Sequence, residues 1–269
     1  MNVMSEPKKS TSPVHLNVKP YGQGDQHFLG IPGFGATHGK SFGNMLERLP
    51  EHVTFHGMDP PGLGESPLPT KWTWQQITNH MIESVDHIVD STGEPITLVG
   101  ACSGSFHAME VAKQRPDAIK ELILLEPFGY TPWFLRVFLV PKLGYGVFHS
   151  LFGTPQGRGA ISKGLAMAGV MSEYNPIASF ANVPSKTVHN YLSLYYEIEQ
   201  RGPDYFDDLS MTKRVLHGTK TFGAVKDSLP TWHRIWDDVS IITIADVGHQ
   251  LTQDKPQEVN DIIFSPKDK

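Results

Sequence analysis

The chain has 269 residues, 39% of them hydrophobic and 19% charged, with a formal net charge of -5. That length and composition suit a globular α/β protein with a substantial core, and the acidic balance with scattered basic residues leaves no footprint for nucleic acid or an anionic membrane. Cys102 is the only cysteine, which excludes an intrachain disulfide and a thiol-based zinc site.

Residues 1–14, MNVMSEPKKSTSPV, contain Ser, Pro and Lys but no apolar h-region, so a frayed tail is expected rather than a signal peptide. The apolar stretch from Pro132 to Gly153 is cut by Arg136, Pro141 and Lys142 into pieces shorter than the ~20 residues a spanning helix needs. No membrane span is expected, and a lone thiol fits a reducing, cytoplasmic setting.

Strand and helix signals alternate through the first half, the pattern of a mostly parallel sheet with covering helices. QHFLGI reads as a buried strand entering the turn PGFGATHGKSF, GNMLERL as a short helix, and HVTFHGMD as a strand ending in PPGLGESP. From Trp72 to about Asp90, Ile77, Met81, Val85 and Ile88 recur at the spacing of an amphipathic helix. PITLVG reads as a strand, Ser105 to Gln114 as a helix, and IKELILLE as another buried strand. Between Phe128 and about Phe206 no strand is evident, and aromatic residues gather: Tyr130, Trp133, Phe134, Phe138, Tyr145, Phe148 and Phe152. A helix is expected from Ser185 to Gln200. Strands return with KRVLHG and VSIITIA, and KPQEVNDIIF reads as a closing helix. The expected organisation is a core of residues 15–128 and 209–269 interrupted by a helical cap at 129–208.

The stretch LVGACSGSF, Leu98 to Phe106, has the rhythm G-x-S-x-G with Cys102 at the centre. Strand, tight turn and helix follow one another here, the context in which such a motif exposes a nucleophile. Gly100 and Gly104 supply the small neighbours that the turn needs. A helix N-terminus beneath offers free amides and partial positive charge, both favourable to an anionic sulfur.

From about His27 onward the chain resembles the α/β-hydrolase superfamily. GIPGFG sits where that family carries its oxyanion loop, with Pro32-Gly33 in place of the common His-Gly. GMDPPGLGES resembles its D-x-x-G-x-G-x-S turn, and DVGHQLTQDKPQEV its terminal segment bearing the catalytic histidine. The resemblance implies Cys102 as nucleophile, His249 as general base, and the backbone amides of Phe34 and Ser103 as oxyanion donors. His107, one turn into the elbow helix, is the rival base but should point along that helix. Asp59 is expected to tie its turn together, and Ser66 to end that turn without nucleophilic work.

The acid departs from the usual pattern. Where much of the family has H-G-x-x-D, this chain has His217-Gly218-Thr219-Lys220-Thr221, and threonine cannot hold a charge beside an imidazolium. Glu126, at the end of the strand after the elbow, lies where haloalkane dehalogenases resemble this chain in placing their acid; Asp246 and Asp227 are the fallbacks. Members with a cysteine nucleophile include dienelactone hydrolases and polyester synthases, whereas dehalogenation itself requires an aspartate at Cys102.

The expected function is cofactor-free and metal-free hydrolysis of a small ester, lactone or thioester through an acyl-thioester. Acyl transfer or cyclisation through the same intermediate is the alternative, and a non-catalytic binding protein or a cysteine replacing serine stays open. For any single aromatic residue of the cap, or Met167 or Met171, the cap's own core is the better reading, but collectively they favour a small apolar or aromatic acyl substrate. Oligomeric state is not legible in the sequence.

Overall fold

The computed structural model describes residues 15–131, 133–167 and 183–265. The tail 1–14 and Met171 lie outside these residues. Seven strands form one sheet: β1 (Val18–Gly22), β2 (Gln26–Ile31), β3 (Val53–Met58), β4 (Ile96–Ala101), β5 (Ile119–Leu125), β6 (Thr212–Gly218) and β7 (Ser240–Ile244). Their order is β1-β3-β2-β4-β5-β6-β7. Only the β1–β3 pairing is antiparallel.

A parallel sheet covered on both faces explains the continuous apolar runs of its central strands. Leu98 of β4 and Leu122 and Leu124 of β5 face one core, with Ile77, Met81 and Val85 of α2 (Trp74–Thr92) and Ala108 and Met109 of α3 (Gly104–Gln114). Their neighbours Val99, Ile123 and Leu125 face the other. There they meet Phe42 and Met45 of α1 (His38–Leu46) and, from the closing helix (Pro256–Phe264), Val259 and Phe264. Each fully buried Leu, Ile, Val, Phe or Met side chain among these contributes roughly 1.5–3 kcal/mol. The helix α2 begins where Thr73 Oγ1 accepts the Gln76 amide at 3.3 Å and ends at Gly93, whose φ of 76° suits a left-handed cap.

Three local features differ from the sequence expectations. The first helix starts at His38, inside the stretch read as a turn, because the Asp59 carboxylate draws in the His38 amide at 3.0 Å. The strand β1 was not expected, since Pro20 and Gly22 weaken it as a sequence signal; at a sheet edge Pro20 is tolerated. A helix at Gly223–Ile235 was also unexpected and holds Pro230 in its interior.

Between β5 and β6 the described residues form helices and turns only: α4 (Trp133–Arg136), α5 (Gly144–Phe148), α6 (Pro155–Met167) and α7 (Ser185–Glu199). Phe138 and Phe148 are buried there with Val188 and Leu192, and Phe152 packs against them. These rings build a small separate core.

Candidate active site

The strand β4 delivers Cys102 at its carboxyl end, and α3 begins two residues later. The Cys102 amide donates to the Leu125 carbonyl at 2.7 Å, so the sheet ladder persists into the turn. Cys102 then adopts φ 53°, a left-handed conformation that costs a non-glycine residue on the order of 1–3 kcal/mol. The flanking glycines have packing reasons. A Cβ on Gly104 would stand 2.4 Å from the carbonyl oxygens of Ile31 and Pro32, and one on Gly100 would stand 2.8 Å from Ser105 Cα.

Glu126 occupies the equivalent place one strand over. Its amide donates to the Leu216 carbonyl at 2.8 Å, and its φ is 56°. The carboxylate is buried, at 2% exposure. Its Oε1 accepts the Gly218 amide at 2.6 Å, while Oε2 accepts the Thr221 hydroxyl and meets His249 Nδ1 at 2.9 Å. The threonine in the slot expected to hold the acid therefore hydrogen-bonds the Glu126 carboxylate. Sequence reasoning noted Thr221 only as a vacancy; its position in that slot was the signal.

His249 lies in the loop between β7 and the short helix Leu251–Asp254, its ring centroid 4.7 Å from that of Phe222 and the two rings edge to face. Burial pulls its pKa down, but the charge and hydrogen bond of Cys102, then the hydrogen bond and charge of Glu126, outweigh this and raise it to about 10. Cys102, His249 and Glu126 are thus brought together. Gly33 closes the other side: a Cβ there would be 3.0 Å from Cys102 Cβ. Ser103 is the N-cap of α3, so its amide lies at the helix's positive end.

The other candidates go elsewhere. His107 stacks on Trp74 at 4.5 Å, and burial lowers its pKa to about 3. Asp246 pairs with Lys220 at 3.2 Å, and Asp227 accepts the Tyr130 hydroxyl at 3.0 Å. Asp59 accepts the His38 ring at 2.7 Å and the Asn17 amide group at 2.9 Å, and Ser66 donates to its carbonyl at 2.5 Å; both are turn-forming residues.

A cavity of about 200 Å³ opens over Cys102. Phe34, Ala36, Ala101, Leu125 and Leu251 give it apolar walls, and Lys40, Ser41, Gln250 and Thr252 add polar ones. Phe138, Phe148 and Phe152 do not line it and pack on one another, in line with the reading of these rings as the cap's own core. From α7, Tyr195 packs on Phe34 at 5.9 Å and on Phe106 at 6.1 Å. Among the described residues no group of three or more His, Cys, Asp or Glu side chains could hold a metal ion.

A parallel sheet, a strained turn carrying a nucleophile-type residue, and a histidine delivered after the last strand define the hydrolase-type α/β class. The model of the Alpha/beta hydrolase family matches residues 28–262, and the chain belongs to that family. It is 31% identical over 116 residues to lipase LipV of Mycobacterium tuberculosis, an alignment covering 42% of each chain. It is 34% identical over 103 residues to the abhydrolase domain-containing protein abhd-5.2 of Caenorhabditis elegans, covering 37% of this chain and 23% of that one. The matches thus span less than half the length of these relatives. Among solved structures, a thermophilic esterase from Thermogutta terrifontis superposes with a TM-score of 0.73 at 19% identity, covering 93% of this chain and 91% of the other.

Proposed function

We propose that the protein hydrolyses a small ester, lactone or thioester through an acyl-thioester on Cys102, with His249 as proton carrier, Glu126 as its acid partner, and no cofactor. The observation that carries this is the imidazole of His249, which meets one Glu126 oxygen at 2.9 Å through Nδ1 and lines the same cavity as Cys102. With Nδ1 committed, Nε2 is left to take the sulfur's proton, giving the imidazolium and thiolate that begin the reaction.

The thiolate attacks the acyl carbonyl, forming a C–S bond as the carbonyl electron pair moves onto oxygen. The amides of Phe34 and Ser103 hold that oxyanion; one such donor is typically worth about 3 kcal/mol in the transition state. Collapse breaks the bond to the leaving group, which takes the proton from His249. The now neutral imidazole accepts a proton from water as it attacks the thioester, and the second collapse returns the thiolate and frees the acid. Glu126 fixes the tautomer and offsets the imidazolium charge throughout.

The names of the relatives, a lipase and an esterase, agree with ester substrates. The cavity, about 200 Å³, suits a small acyl group. Residues 129–208 would act as the cap, and a reducing cytoplasm would keep the thiol available. The test is a panel of short activated esters and thioesters read by product release and intact mass. One acyl group on Cys102, lost with Cys102→Ala, is expected. Turnover that survives Cys102→Ala would overturn the assignment, and transfer to an added amine in preference to water would favour the acyltransferase alternative.

A further inference from the structure

Large aliphatic side chains are exposed together on one part of the β5–β6 segment. Val137 is 53% exposed, Val140 46%, Leu143 68% and Val147 44%. They flank the tight connection between α4 and α5, where the Gly144 amide donates to the Val140 carbonyl at 2.8 Å. At its tip Lys142 is exposed and adopts φ 66°. Beneath lies the buried group of Phe138, Phe148, Val188 and Leu192, so these side chains form the outer face of a packed unit.

The segment that carries this face is basic. From Gly129 to Met167 the sequence has Arg136, Lys142, Arg158 and Lys163 and no Asp or Glu, a charge of +4 in a chain of net charge -5, leaving -9 elsewhere. Arg136 is paired with Glu199 at 2.5 Å, but Lys142 and Lys163 are exposed, as is Lys186 on α7, whose ammonium lies 4.5 Å from the Tyr145 ring centroid. The acidic remainder hides this asymmetry in the whole-chain charge.

We propose that this face docks on an anionic lipid surface, with Val140, Leu143 and Val147 entering the headgroup boundary and Lys142 and Lys186 meeting lipid phosphates. Aliphatic side chains rimmed by lysine are what such a surface binds. A second copy is a poorer occupant, because a two-fold contact would bring like charges together. No helix among the described residues is long and apolar enough to cross a membrane, so the association is peripheral.

The test is flotation of the full chain with vesicles of phosphatidylcholine alone or mixed with phosphatidylglycerol. Binding to the mixed vesicles is expected, weakened by high salt. Removing each cation by Lys142→Ala or Lys186→Ala should weaken it roughly fivefold. Leu143→Asp with Val140→Asp should abolish it without lowering the melting temperature. Cys102→Ala should bind as the wild type does, which separates this proposal from the catalytic one. Absence of binding to mixed vesicles, or indifference to Leu143→Asp, would overturn it. So would a melting temperature lowered by Leu143→Asp, which would mean the patch is covered by the chain itself, or a solution dimer that this substitution dissolves.

Discussion

The hydroxyl of Thr221 and the imidazole of His249 meet on a single atom, Oε2 of Glu126. Two strand ends are needed for this. One carries Glu126 on a left-handed turn after β5, and the next presents the Gly218 amide to Oε1 at 2.6 Å. Thr221→Val removes one donor to a buried carboxylate. Hydrogen bonds to charged groups are worth roughly 1.5–3 kcal/mol, so kcat should fall on the order of tenfold or more with little change in KM. Thr221→Ser should restore it; steady-state kinetics on an activated ester checks both.

His249 should stay protonated well past neutrality. Its pKa is raised from 6.5 to about 10, so its contribution to stability is fully present below 6.5 and is lost as pH rises through about 10. Among the groups that raise it, Cys102 comes before Glu126. An NMR titration of the ring should therefore move further down in Cys102→Ala than in Glu126→Gln. The reverse order would mean that the carboxylate, not the sulfur, controls this histidine.

Asp59 governs acid stability at the other end of the site loop. Burial pushes its pKa up, but hydrogen bonds from His38, Asn17 and the Glu65 amide outweigh this and lower it from 3.8 to about 2. Its contribution is present above 3.8 and disappears as pH falls through about 2. Denaturant melts across that window should be steeper in pH for the wild type than for Asp59→Asn, which should also be less stable at neutral pH.

Gly104→Ala should be poorly tolerated, because the added Cβ meets two carbonyl oxygens at 2.4 Å. Overpacking of this kind typically costs about 1–3 kcal/mol, and here it also pushes the Ile31–Pro32 backbone from the elbow. Gly39 is the control, since a Cβ there meets nothing within 4 Å. Thermal melts of the two variants give the comparison.

The sheet was legible because β2, β4 and β5 are buried on both faces and so read as unbroken apolar runs. Motif order made Cys102, His249 and Glu126 candidates. Thr221 was recognised only as a missing acid, because a hydrogen-bonding role depends on how β5 and β6 stand side by side, which no local pattern records. Which of the cap aromatics form its core was not legible, for a related cause. Composition shows that rings cluster, whereas only packing shows that Phe138, Phe148 and Phe152 face one another. The helix holding Pro230 escaped because local propensity argues against it.

The most direct measurement is the rate of Cys102 alkylation by iodoacetamide at neutral pH, followed by intact mass, in the wild type, His249→Ala and Glu126→Gln. With one cysteine in the chain the adduct is unambiguous. An imidazolium held against the sulfur predicts a wild-type rate at least about tenfold above that of His249→Ala, with Glu126→Gln between them. Equal rates in all three would contradict the dyad and leave Cys102 as an ordinary thiol at a strand end.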